Sequence, residues 1–290
     1  MPRRLKIPNL AVVLCAGTKG GSAKTSTAQA VAVAAKLAGH RVLVIDLDPI
    51  GAISKWGSRR RFAQATAEAK RRKPSASAGE LAALVEEIES GPADPAEITI
   101  SSIQPHAIRE ALRIAKRNGV SFVVIDVAGT KHNYAEEAAA FADLVLIPAK
   151  PITKELEHLP DTKAQLALAG QPPYFVLFNR VHPQATTSLE QPRRIAREYY
   201  NTTPFPYHFT YRPAVWEEAD DLGSTPQELG TDPEATAEIE RVFRFVTEFL
   251  DIEKGKGEHG EHEHAGAAAS ATATEAGTGR KRAAGTAEAR

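Results

Sequence analysis

Cysteine is nearly absent from the sequence: Cys15 is the one thiol in 290 residues. A lone thiol excludes an internal disulfide framework, and it excludes any multi-cysteine zinc or iron–sulfur centre supplied by a single chain. A reduced, cytoplasmic compartment is the expectation. Net charge is lacking too, because 36 Lys and Arg balance 36 Asp and Glu. Bulk electrostatics therefore do not recruit nucleic acid, and any DNA contact has to come from a local basic patch. No run approaches the roughly 20 apolar residues of a bilayer-spanning helix. The opening Met1-Pro2-Arg3-Arg4 passes into a short apolar strand without the longer apolar segment and cleavage site of a secretory signal. A soluble protein is expected. No aromatic series accompanies Trp56 or Trp216, so both read as packing residues rather than base-stacking platforms.

From about Gly255 large side chains run out, and the remaining Gly, Ala, Glu, His, Thr and Arg cannot offset the entropy of ordering. Residues 255–290 are expected to be a disordered, low-complexity tail. Its His259, His262 and His264 lack a folded scaffold for a metal site, and its Arg280-Lys281-Arg282 reads as a solvated run. The other 254 residues fit one large α/β domain, since a chain with 42% hydrophobic residues can bury a substantial core.

Within that domain short β-rich runs alternate with longer helical patterns. Leu10–Cys15, Arg41–Asp46, Ile98–Ser102, Ser121–Asp126, Leu144–Pro148 and Tyr174–Asn179 predict strands, several of them almost continuously apolar. Continuous apolar strands belong to a sheet covered by helices on both faces, so the pattern predicts a mostly parallel, doubly wound α/β sheet. Residues 58–96, carrying Arg59-Arg60-Arg61, Arg71-Arg72-Lys73 and Pro74, read as a possible insertion or lid segment. Residues 233–252 predict an amphipathic helix with Ile239, Val242, Phe243, Val246, Phe249 and Leu250 on one face, facing the core rather than a membrane.

The segment richest in chemistry follows the first strand: Thr18-Lys19-Gly20-Gly21-Ser22-Ala23-Lys24-Thr25-Ser26, leading into an Ala/Val-rich helix. Strand, glycine loop and helix come in the order a phosphate-binding loop requires. Glycines let successive backbone N–H groups turn into one concavity, the helix N-terminus adds partial positive charge, and Lys24 can reach β- and γ-phosphates. Thr25 is placed to ligate Mg²⁺ through its hydroxyl. Asp46 and Asp48 close the second strand and Asp126 ends another. In a doubly wound sheet such strand ends converge on the ligand.

In these residues the chain resembles the ParA/MinD group of P-loop ATPases over roughly residues 8–250. The group's hallmark is a second lysine at the start of the loop, matched by Lys19; Ala142–Pro148, Phe178-Asn179-Arg180 and Glu217-Glu218-Ala219 before Gly223 fit as well. The resemblance implies ATP and Mg²⁺ as ligands and an ATP-sandwich homodimer, with Lys19 reaching the phosphates of the partner subunit. Residue by residue, it implies Lys24 and Lys19 on phosphates, the loop Gly20, Gly21, Ser22, Ala23, Thr25 and Ser26 around them, and Thr25 and Asp126 on Mg²⁺. Asp46 would support the metal's water shell, Asp48 would orient or activate the attacking water, and Asn179 would face adenine. Ala23 stands where the group usually has glycine, which works against tight binding, and Val127-Ala128-Gly129 replaces the usual Thr-Pro-Pro string.

The polar, alanine-rich tail lacks the basic amphipathic helix of membrane-binding relatives, so no membrane is expected. The loop begins too early to leave room for an N-terminal helix-turn-helix domain. What the resemblance implies is therefore a short-form partitioning ATPase, slow and dimerisation-dependent, that binds DNA non-specifically at the nucleoid and answers to a ParB-like centromere-binding protein. Arg193, Arg194, Arg197 and Arg212 are the candidates for DNA contact, with a solvated charged face as the equal alternative for each. Two further readings stay open: an orphan relative that positions a protein complex, and a biosynthetic P-loop enzyme of the dethiobiotin synthetase or cobyrinic-acid amidase type.

Overall fold

The computed structural model describes residues 5–92, 94–129, 134–184 and 189–252. They fall within a compact unit spanning Met1–Gly257. The tail expected at 255–290, with its histidines and its Arg280-Lys281-Arg282, lies outside the described residues.

Seven strands form one parallel sheet: β1 (Ala11–Cys15), β2 (Val42–Asp46), β3 (Thr99–Ser102), β4 (Phe122–Asp126), β5 (Leu144–Ala149), β6 (Tyr174–Val181) and β7 (Pro204–Thr210). Their order is β3-β2-β4-β1-β5-β6-β7, with every pairing parallel. Strands β1, β2, β4 and β5 are almost wholly buried because alternate side chains enter two different cores. Leu14, Ile45, Ile125 and Ile147 point into one, against α4 (Ile108–Arg117) and α7 (Leu159–Leu168). Val13, Val44, Val124 and Leu146 point into the other, against α1 (Lys24–Leu37) and α11 (Pro233–Leu250). Of the residues read onto one face of α11, Ile239, Val242, Phe243 and Val246 are buried in that second core and Leu250 packs against it, while Phe249 at the last turn is exposed.

Sequence reading missed β7. Pro204 and Pro206 argue against a central strand, because proline has no N–H for a ladder. The strand lies at the sheet edge, where missing donors cost little. Two of its backbone groups are capped by side chains: Arg193 donates to the Pro206 carbonyl at 2.9 Å, and Thr210 N–H donates to Glu238 at 2.8 Å.

The 58–96 segment supplies most of α2 (Ala52–Arg72) and all of α3 (Ala78–Ser90), which carry the chain from β2 to β3. Ser77 and Glu80 form a capping box that starts α3. Ala65 and Ala69 of α2 meet Val85 of α3 in a small separate cluster. The root of α2 is fixed more firmly, by buried Trp56 donating to the Ser224 carbonyl at 3.0 Å and by Arg60 pairing with Glu228 at 2.6 Å. Gly223, at φ +62°, lies so close that a Cβ would stand 2.0 Å from the Arg60 nitrogen. Among the described residues no helix is long and apolar enough to cross a membrane.

Candidate functional site: a phosphate loop at the sheet's carboxyl edge

Strand β1 lies between β4 and β5, and its end is where the chain's connections diverge to opposite sides of the sheet, the place where ligands collect in doubly wound folds. The loop at 17–23 leaves this point and enters α1 at Lys24. Gly21 has φ +73°, and Ala23, the residue before the helix, is also left-handed at φ +65°. Glycine adopts that region freely and alanine does so at a cost of about 1 kcal/mol. Ala23 therefore keeps the backbone shape that the usual glycine would give, under strain.

The Lys24 side chain is buried and its ammonium donates to the Lys19 carbonyl at 2.7 Å. Burial pulls its pKa down, with Asp126 and Asp48 pulling the other way. Gly129 seals the opposite side: a Cβ there would stand 2.6 Å from the Lys19 carbonyl oxygen and 2.7 Å from the Lys24 ammonium. A glycine in that string was legible in the sequence, but its tight contact with the loop was not. Lys19 itself turns back onto its own chain, pairing at 2.9 Å with the buried carboxylate of Glu155 on the short helix α6 (Thr153–Leu156). Sequence reading did not single out Glu155; nothing in its neighbours' pattern distinguishes it from a surface helix residue.

Parallel registration brings the carboxylates together. Asp46 on β2 pairs in register with Asp126 on β4, which pairs with Cys15 on β1. Asp126 is wholly buried; its Oδ2 accepts from the Thr25 hydroxyl at 2.8 Å, and its Oδ1 has no hydrogen-bond partner. Desolvation pushes its pKa up to about 7, against the Thr25 bond and with the help of Asp46. Asp46 accepts from the backbone of Asp48 at 3.0 Å and from the backbone and hydroxyl of Ser54. Asp48 is half-buried and accepts from Ile50 N–H at 2.9 Å. Thr25, Asp46, Asp48, Asp126, Lys19 and Lys24 thus share one rim.

On the other side of α1 lies a cavity of about 530 Å³. Asn179, at the end of β6, is buried and donates to the Ser22 carbonyl at 2.7 Å, while its side-chain oxygen is buried without a partner. Ser26 also lines this cavity, whereas Ser22 and Gly20 stay with the loop.

The four arginines do not form one set. Arg194 and Arg197 are exposed on α8 (Glu190–Arg194) and on the π-helical turn that follows, and Arg193 is partly tied to Pro206. Arg212 corrects the sequence expectation, because Asp232 at 3.0 Å, Glu234 at 2.6 Å and Glu238 at 2.9 Å hold its guanidinium. With that charge neutralised, Arg212 has little left to offer a phosphate backbone.

The residues fit the ligands the sequence suggested. Two buried oxygens of the site lack partners, Asp126 Oδ1 at the carboxylate rim and Asn179 Oδ1 at the cavity. Among the described residues no group of three or more His, Cys, Asp or Glu could hold a metal by itself. A hydrated Mg²⁺ shared between one or two protein oxygens and phosphates suits such a donor set.

Glycine loop, buried loop lysine and strand-end carboxylates on an all-parallel sheet define a P-loop nucleotide-binding protein. Residues 13–220 match the family described as the CobQ/CobB/MinD/ParA nucleotide binding domain. The chain belongs to that family. Solved structures agree on the fold: the septum site-determining protein MinD complexed with Mg-ADP from Pyrococcus horikoshii has TM-score 0.58 at 14% identity, over 85% of this chain and 99% of that one. A McdA–ATP complex from Cyanothece has TM-score 0.57 at 16% identity, over 84% and 97%. A plasmid partition protein from Borrelia burgdorferi has TM-score 0.51 at 16% identity, over 82% and 98%. No curated protein matches the sequence.

Proposed function

We propose that the chain is a slow ATP hydrolase acting as a nucleotide-gated switch. ATP closes two copies into a sandwich homodimer, the dimer holds DNA non-specifically, and a ParB-like centromere-binding protein stimulates hydrolysis and release. The observation that carries this reading is the pair of lysines at one rim. Lys24 is buried in the loop, and Lys19 is held at the mouth by Glu155 rather than by any group the phosphate site needs.

In this reading Lys24 exchanges the Lys19 carbonyl for the β- and γ-phosphates, and the backbone N–H groups of residues 20–25 cradle them. Thr25 and Asp126 would hold Mg²⁺, with Asp46 ordering its water shell; the ion neutralises phosphate charge when bound. Asp48 orients the attacking water. Lys19 leaves Glu155 for the triphosphate of the partner subunit, so full charge neutralisation needs two copies. Asn179 accepts from or donates to adenine.

Because the whole chain is neutral, DNA contact needs a local patch. Arg194 and Arg197 are exposed, as are Arg241 and Arg244 on α11, and Arg193, Arg241 and Arg212 all act on His208 of the edge strand β7. These exposed arginines are the proposed contacts, whereas three carboxylates hold Arg212. The likeness to a plasmid partition protein supports the cargo, and the address proposed with it is the nucleoid in the cytoplasm.

The test uses two variants. Asp48→Ala with saturating ATP should dimerise by light scattering and retain DNA without hydrolysing ATP; Lys24→Ala should bind no nucleotide. A monomeric Asp48→Ala protein under saturating ATP would end the sandwich mechanism.

A further inference from the structure

Trp216, half-buried on α9 (Pro213–Asp221), lines the 530 Å³ cavity together with Asn179, Ser26 and Phe209. An indole at that place changes how the cavity binds. One flank of Trp216 is backed by Phe209, ring centroids 5.7 Å apart and planes tilted by 60°. The ring also packs against the second core, and its half-exposed part lines the cavity. The second tryptophan differs in every respect: Trp56 is fully buried, and its indole N–H is already bonded to the Ser224 carbonyl.

Helix α9 is also fastened to α1 and to α2. Gln29 of α1 donates to the Asp220 carboxylate at 3.0 Å, and Arg59 of α2 donates to the Asp220 carbonyl at 2.7 Å. The wall bearing Trp216 is therefore set at a fixed distance from Ala23–Thr27, where a bound nucleotide has its phosphates. Rigid aromatic walls cost little entropy when a ligand arrives, and a planar base gains from stacking on one.

We propose that Trp216 is the aromatic wall of the base subsite, stacking on the purine of a bound nucleoside triphosphate. This rests on the nucleotide reading above. It adds a source of affinity that the phosphate loop does not provide and that offsets the strained Ala23. Stacking favours large π-faces, so purine triphosphates bind more tightly than pyrimidine ones, and Asn179 is left to read the base edge.

Calorimetry on the full chain separates the two readings, with ATP, CTP and inorganic tripolyphosphate as ligands. Trp216→Ala should weaken ATP about tenfold and leave tripolyphosphate unchanged, whereas Trp216→Phe should hold ATP within about twofold of wild type. Wild-type tryptophan fluorescence should change on adding ATP, and Trp216→Phe should abolish that change because Trp56 is shielded. Unaltered ATP affinity in Trp216→Ala, or equal wild-type affinities for ATP and tripolyphosphate, would overturn the stacking role and leave the phosphate loop standing. A wild type that binds neither ligand would overturn both. Should Trp216→Ala fail to fold, Trp216→Leu serves the same comparison, the aliphatic chain keeping part of the apolar contact and losing the π-face.

Discussion

Two of the sites where this molecule buries charge treat it in opposite ways. At the end of β7, Glu238 gives every oxygen a partner: Thr210 N–H at 2.8 Å, the Thr210 hydroxyl at 2.6 Å and Arg212 at 2.9 Å. At the end of β4, Asp126 has one bonded oxygen and one without a partner, and Lys24 beside it spends its ammonium on a backbone carbonyl. Full pairing makes a structural joint. Unspent bonding capacity in a rigid pocket is what a ligand uses, and the protein carries its cost until the ligand arrives.

That contrast can be broken by removing the unsatisfied charge. The Asp126 carboxyl titrates near 7 in the folded protein and near 3.8 without the fold. Between those values the native state keeps a proton that the unfolded chain has released. Stability of the metal-free, nucleotide-free protein should therefore fall as pH rises from about 4 to about 7, and stay low above. Asp126→Asn, which retains an acceptor for Thr25, should flatten that dependence and stabilise the protein at pH 8 by up to about 4 kcal/mol. Denaturant melts across pH with a chelator present measure it; a slope identical to wild type would show that the carboxyl pays no such penalty.

Removing the satisfied charge should do the reverse. Glu238→Ala leaves Arg212 and the Thr210 N–H short of partners and should cost about 3 kcal/mol of stability at every pH near neutrality. If chemical denaturation showed less than about 1 kcal/mol lost, the joint would be ornamental and the contrast void. The smallest effect sharpens the comparison within the loop itself: Ala23→Gly relieves a left-handed alanine and should stabilise by about 1 kcal/mol without weakening ATP. A destabilised Ala23→Gly protein would mean that the strain at φ +65° is not felt.

The site was legible in the sequence to the extent that its parts are local. Lys19 through Thr25 form one continuous loop, and Asp46 and Asp126 announce themselves by ending apolar strands. Three features escaped because they depend on distant segments. Glu155 meets Lys19 from a helix beyond β5, so sequence separation hides the pair. Arg212 looks like any exposed arginine until Asp232, Glu234 and Glu238 fold back onto it. Strand β7 was concealed by its own prolines, which are tolerable only at an edge, and edge position is a property of the whole sheet.

What the sequence determined by itself is the kind of machine. Apolar strands of the right length require a covered parallel sheet, and a glycine loop between strand and helix can do little else than gather backbone donors around an anion. What tertiary structure alone decided is which charges are free to act. Pairing in space, not position in the chain, sets whether a buried carboxylate or lysine is already satisfied, because desolvation is relieved by whatever partner lies within a few ångströms, however far away it is in sequence.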